Sequence, residues 1–285
     1  MTYPWKDHAG RTSPLKLAVF VALFAPALWI ATAFALDWLG PRPLTEAIHQ
    51  LGLWAIRLIF LALAVTPLRH ILNWSRLLVV RRMIGVAASA YAIAHLGLYA
   101  ADEAFDLAKV ATEIVLRIYL TIGFAAVLGL AALAATSTDG MIRRLGARRW
   151  RRLHLLVYAI ALLAVVHYCM QSKLDLWEPT IMAGLYGWLI GYRVLARPVG
   201  ARTRLSLLGV AALGVTVAVL TALGEAVYFR IAYGADPMLV IAANWSLDTG
   251  LRPAVVVLAV TLAVAAAGGL RRLVALRPER RARYA

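Results

Sequence analysis

A chain of 285 residues that is 62% hydrophobic and only 15% charged, with a mean hydropathy of +0.76, is far more apolar than soluble domains, which run at roughly 45–50%. A water-soluble globule is excluded on that ground. The net charge of +16 would suggest nucleic acid if the cations lay on one soluble face among aromatics, but they are bunched in short stretches between apolar runs, which argues for membrane spans and against a nucleic-acid partner. The single cysteine, Cys169, leaves neither a disulfide framework nor a C-x-x-C redox pair, so any electron carrier has to be a bound group.

A hydrocarbon core about 30 Å thick is crossed by about 20 apolar residues in helix. Windows of that length predict eight spans, with seven as the alternative, near 16–36, 47–67, 83–101, 116–135, 153–171, 179–196, 205–224 and 252–270. The first has an apolar run too long for a signal-peptide core and reads as a retained helix. The stretch Glu225 to Leu251 carries Arg230, Asp236, Pro237 and Asp248 and reads as a loop. No polar–apolar alternation suggests a barrel, so the expected fold is an all-α polytopic bundle. The expected division is a six-span core over 1–200 and a two-helix membrane extension over 201–285.

Cations in short loops mark the cytoplasmic side. Arg69, Arg76, Arg81 and Arg82 lie between spans two and three, and Arg143, Arg144, Arg148, Arg149, Arg151 and Arg152 between four and five. The alternate connections carry Asp37, Glu46, Asp102, Glu103, Asp106, Asp175 and Glu178 and face the other way. Arg197, Arg202 and Arg204 before span seven, and the run from Arg271 to Arg283 after span eight, fit the same alternation and put both termini in the cytoplasm.

Four of the six histidines fall in spans or at their ends, where an imidazole is costly and marks a functional site. His95, in the outer half of span three, and His167, near the outer end of span five, share a depth, and His49 opens span two from the same side. His154 lies at the cytoplasmic start of span five, thirteen residues before His167, or about 20 Å of helix. Facing helices can supply imidazoles to both axial positions of a haem iron. His95 with His167 is therefore the expected pair, with His49 as alternative ligand and His154 at an inner site. The plainer reading gives each histidine a hydrogen bond to a neighbouring helix. At 3.6 residues per turn a spacing of thirteen does not align His154 with His167, so the two face different neighbours unless the helix is locally irregular. Arg57 inside span two, Arg82 at the start of span three and Arg117 opening span four are candidate partners for haem propionates or a flavin phosphate, with snorkelling or an acidic partner as the alternative.

Four stretches carry a resemblance: AVTPLRH at 64–70, RRMIGVAASAYAIAHLGLY at 81–99, RIYLTIG at 117–123 and TSTDGMIRRLGARRWRRLHLLVYAIALLAVVHY at 136–168. Together they resemble the MsrQ family, formerly YedZ, haem-binding membrane subunits of bacterial methionine-sulfoxide reductase systems, within the wider ferric-reductase-like transmembrane group. The resemblance runs from about Pro14 to Leu195. It implies an inner-membrane subunit that takes electrons from a cytoplasmic flavin reductase or NAD(P)H-linked donor, passes them through FMN and haem b, and delivers them to a periplasmic molybdopterin enzyme, MsrP, where the sulfoxide chemistry takes place. By position it assigns His95, His154 and His167 to haem and His49 to a further histidine. Span three carries one histidine where two-haem relatives carry two, so one or two haems are implied. A direct ferric or quinone reductase, or a transporter, are the alternatives. No G-x-G-x-x-G fingerprint is present to support an attached nucleotide site.

Overall fold

The computed structural model describes residues 3–6, 9–172, 175–196, 205–246, 248 and 250–283. His8, Arg197, Arg202 and Arg204 therefore lie outside the described residues. Among these residues the chain is helical, with one isolated antiparallel bridge between Lys6 and Thr12. Seven helical segments among the described residues are long and apolar enough to cross a membrane: Pro14–Ala35, Pro43–Ile71, Ser75–Asp102, Ile118–Ala135, Ala147–Gln171, Leu207–Tyr233 and Pro253–Val274. The remaining expected span, 179–196, is a helix of 19 residues, Trp177–Leu195, set apart by Glu178, Arg193 and three glycines rather than by its length.

The chain forms two compact units, the first made of Met1–Leu63 with Val79–Gln171 and the second of Ala64–Leu78 with Ser172–Ala285. In the first, α1 (Pro14–Ala22) and α2 (Ala25–Ala35) make one interrupted span. Pro26 has no N–H to continue the helical ladder. At the break, the Tyr91 hydroxyl from α4 (Leu78–Asp102) donates to Leu23 O at 2.8 Å and accepts from Ala27 N at 2.9 Å. A side-chain hydroxyl inserted into the ladder is one of the recognised causes of a helix break.

Helix α3 (Pro43–Ile71) enters this unit with its first 21 residues. Buried Val80, Ile84, Ala88, Tyr91 and Ala92 recur at helical spacing on α4 and lead to His95 on the same stripe. The chain then reverses through Ala104 and Phe105, both with φ above +50°, into α5 (Leu107–Leu116), which Asp106 caps by accepting from Lys109 N. Ten residues span only about 15 Å, too few to cross. After an extended Arg117 comes α6 (Ile118–Ala135), whose Thr121 hydroxyl donates back to Ile114 O at 2.5 Å.

On the opposite side of α6, Thr138 caps α7 (Asp139–Leu145), and Gly146, with φ +74°, turns the chain into α8 (Ala147–His154). Helix α9 (Leu156–Gln171) follows at once. The junction is tight, with Leu155 N donating to Arg152 O and Tyr158 N to Leu155 O. The local irregularity that the spacing of His154 and His167 left open is therefore present.

The second unit is built on α10 (Trp177–Leu195), α11 (Leu207–Tyr233), α12 (Pro237–Trp245) and α13 (Pro253–Arg283). Small residues let these helices approach closely, as membrane helices do. Gly184 of α10 leaves room for Thr221 and Val257, and Gly214 of α11 for Thr261. The expectation of a loop from Glu225 to Leu251 is corrected here: α11 runs on to Tyr233 and α12 follows after an Asp236 cap. Glu225 is tolerated within a helix because Asn244 Nδ2 and Arg252 Nη2 each donate to its carboxylate at 2.7 Å.

Candidate functional site

His95 and His167 are brought together, with ring centres 6.4 Å apart and planes at 78°. The His95 Nδ1–H donates to Ile48 O of α3 at 2.7 Å, and the His167 Nδ1–H donates to Tyr119 O of α6 at 2.8 Å. A carbonyl only accepts, so each Nδ1 carries the proton and each Nε2 keeps its lone pair. This is the arrangement that fixes tautomer and ring direction in metal-ligating histidines. The Tyr119 ring stacks on His167 with centres 6.4 Å apart.

The other candidate residues occupy different surroundings. His49 is 46% exposed and 3.9 Å from the Glu46 carboxylate. His154 stacks on Trp150 at 4.0 Å. Its Nδ1 contacts Trp150 O at 3.1 Å and its Nε2 lies 3.3 Å from Ser137 Oγ, while that hydroxyl donates to Leu133 O at 2.7 Å. Trp150 is anchored in turn by donating from Nε1 to Thr136 O at 2.9 Å.

The three arginines have protein partners. Arg57 lies over the Trp54 ring at 5.3 Å, Arg82 pairs with Asp139, and Arg117 pairs with Glu113 at 2.5 Å. The Tyr119 hydroxyl and the Glu113 carboxylate hold the Arg117 guanidinium above its ordinary pKa. Arg143, Arg144, Arg148, Arg149, Arg151 and Arg152 are exposed around α7 and α8. Among the described residues, no three His, Cys, Asp or Glu side chains gather into a metal cage. A metal at this site would thus be held by imidazoles from two helices and by a ligand of its own.

Sequence reasoning missed Gly52 and Gly123. An added Cβ would lie 3.1 Å from His95 Nδ1 at the first and 2.7 Å from His167 Nδ1 at the second. The available signal was R-x-Y-L-T-x-G, which begins at Arg117, passes through the acceptor Tyr119 and ends on Gly123.

Residues 51–165 match the family described as ferric reductase like transmembrane component. That stretch holds Gly52, His95, Gly123 and His154, and His167 lies just beyond it. The chain is also 42% identical over 191 residues to the protein-methionine-sulfoxide reductase haem-binding subunit MsrQ of Rhodospirillum rubrum, covering 67% of this chain and 89% of that protein. The chain belongs to the MsrQ family. A Xanthomonas campestris MsrQ is 43% identical over 195 residues, covering 66% and 89%, and one from Xanthomonas oryzae is 39% identical over 198 residues, covering 69% and 88%. No solved structure matches the chain. Family membership and the seven long apolar helices make this MsrQ relative a multi-pass membrane protein.

Proposed function

We propose that the chain binds haem b between His95 and His167 and serves as the electron-transfer subunit of a methionine-sulfoxide reductase system in the bacterial inner membrane. One observation carries this reading: the separation and tautomer of the two imidazoles. A transition metal sits about 2 Å from an imidazole nitrogen, itself about 1 Å from the ring centre, so two imidazoles that shared one metal would have their centres no more than about 6 Å apart. With that 6.4 Å separation and both Nε2 atoms free of protons, His95 and His167 would be the residues that hold a haem iron between them. When bound, haem supplies reversible one-electron exchange at a potential tuned by its ligands and their hydrogen bonds.

The chain's own residues hold the ligands, keep Nδ1 protonated, and exclude water around the pair with the apolar stripes of α4, α6 and α9. His95 is preferred to the exposed His49 as the α9 ligand's partner. His154 marks the inner site, where exchanging the Ser137 contact would free Nε2 for a second haem or place the ring beside FMN. The arginines of α7 and α8 suit the phosphate of a flavin or an acidic face of a cytoplasmic NAD(P)H-linked donor. Arg57, Arg82 and Arg117 are proposed as propionate or phosphate contacts, which each could reach only by exchanging or sharing its present partner. The proposed acceptor is the periplasmic molybdopterin reductase MsrP, where the sulfoxide would be reduced.

The expected result is a reduced haem b absorbance spectrum from purified protein, quantified as the pyridine haemochrome. His95→Ala and His167→Ala should each remove most of that haem. If both variants retain all of it, the proposed pairing is wrong.

A further inference from the structure

We infer that Gly52 and Gly123 are positioning residues that open two matching sockets, each holding one of the facing imidazoles by a helix carbonyl one turn before the glycine. The inference rests on the haem reading above and goes beyond it to the groups that set ring orientation.

His95 donates to Ile48 O, and Gly52 stands four residues after Ile48 on α3. His167 donates to Tyr119 O, and Gly123 stands four residues after Tyr119 on α6. The same spacing therefore recurs on two helices around two different histidines. Its physical basis is local. In an α-helix the carbonyl of residue i accepts from the amide of residue i+4, leaving one lone pair for a second donor. The side chain of residue i+4 rises beside that lone pair, which is why serine and threonine there bond back to the same carbonyl. A glycine at i+4 removes the obstruction and lets an imidazole from another helix reach the oxygen.

The fit of each ring against its glycine is close. The nearest atoms to an added Cβ at Gly52 would be His95 Nδ1 at 3.1 Å and Cε1 at 3.2 Å, and at Gly123 His167 Cε1 and Nδ1, both at 2.7 Å. In both cases Nδ1 and Cε1 are the two nearest ring atoms, so the glycine lies against the part of the ring that carries the helix-bound nitrogen. By contrast, Gly85 on α4 has nothing within 4 Å of an added Cβ. At Gly123 a methyl cannot enter unless His167 moves, whereas at Gly52 a shift of His95 by a few tenths of an ångström suffices. The two sockets also set the angle between the rings, 78°, because each ring is tethered to a different helix.

Ferric low-spin haem reports that angle: near-perpendicular axial imidazoles give a strongly anisotropic electron paramagnetic resonance signal, and near-parallel ones a rhombic signal. The test is that spectrum, with the midpoint potential and haem content, on the purified full chain and on Gly52→Ala, Gly123→Ala and Gly85→Ala. The wild type should give the strongly anisotropic signal. Gly123→Ala should change line shape and potential and weaken haem retention on the order of ten-fold, as loss of a ligand-orienting contact does. Gly52→Ala should change line shape and potential with a smaller loss, and Gly85→Ala should match the wild type.

A rhombic wild-type signal overturns the sockets without needing any variant. Wild-type line shape, potential and haem content in both Gly52→Ala and Gly123→Ala overturn them too, while leaving haem ligation intact. If Gly123→Ala does not fold, Gly52→Ala and the wild-type signal decide. Haem that persists in both His95→Ala and His167→Ala, or a colourless wild type, instead overturns the ligand pair and the sockets together.

Discussion

Tyr91 shows what a single hydroxyl does where a helix is broken in an apolar setting. It accepts from Ala27 N and donates to Leu23 O, two groups that would otherwise be stranded by the interruption at Pro26. Tyr91→Phe keeps the ring and strips both bonds, so it should cost about 1–3 kcal/mol of stability, read as a lower unfolding midpoint in detergent. An unchanged midpoint would mean that water serves those groups equally well. In the sequence Tyr91 is one aromatic in an apolar run, because its partners lie 64 and 68 residues away. The histidines are legible for the opposite reason, since an imidazole in an apolar run is conspicuous wherever it points. Their depth alone sets His95 level with His167. The glycines that admit them are not legible, because a glycine in a membrane helix is common and the carbonyl it uncovers belongs to another residue.

Elements are readable to the extent that hydrophobicity alone defines them. Helices α3, α4, α6, α9 and α13 stand where apolar runs predict spans, and the break after His154 falls where the mismatch between a spacing of thirteen and the helical period leaves room for one. The segment from Glu225 onward misleads because Glu225, Arg230 and Asp236 look like a solvated loop until their partners are known. In the structure, the buried Glu225 carboxylate is neutralised by Arg252 and hydrogen-bonded by Asn244, and Asn244 Oδ1 accepts from Ala254 N at 3.2 Å. These bonds tie α11 and α12 to the start of α13. Arg252→Ala strands a buried carboxylate and should destabilise by about 3 kcal/mol, whereas adding Glu225→Leu to it should recover most of that loss. A double-mutant cycle on thermal unfolding in detergent measures the coupling, and a value near zero would show that the pair acts independently. Helix α10 is legible as a helix, yet its Glu178, Arg193 and glycines make it the least apolar of the expected spans.

At the scale of the whole molecule, that ambiguity in α10 becomes a question of parity. Eight crossings return the two ends of the chain to one side of the membrane, and seven separate them. Cations decide sidedness because Lys and Arg in short loops are retained in the cytoplasm. Arg69, Arg76, Arg81 and Arg82 before α4, and Arg143, Arg144, Arg148, Arg149, Arg151 and Arg152 before α9, argue that those two connections lie inside. Counting back from the first, two crossings would place the N-terminal end inside as well. At the other end, Arg271 and Arg272 follow the apolar part of α13, and Arg271 stacks on Trp74 at 5.1 Å, a residue of the cation-rich connection between α3 and α4. That contact lies within one compact unit and puts the end of α13 beside the connection between α3 and α4, so the proposal that this connection is cytoplasmic carries with it an even number of crossings and a membrane-spanning α10. A green fluorescent protein fused after Ala285 should then fluoresce, and alkaline phosphatase fused there should stay inactive. The same phosphatase inserted in the connection before α10 should be active. An active phosphatase at the C-terminal fusion would mean that α10 does not cross, and the count would fall to seven.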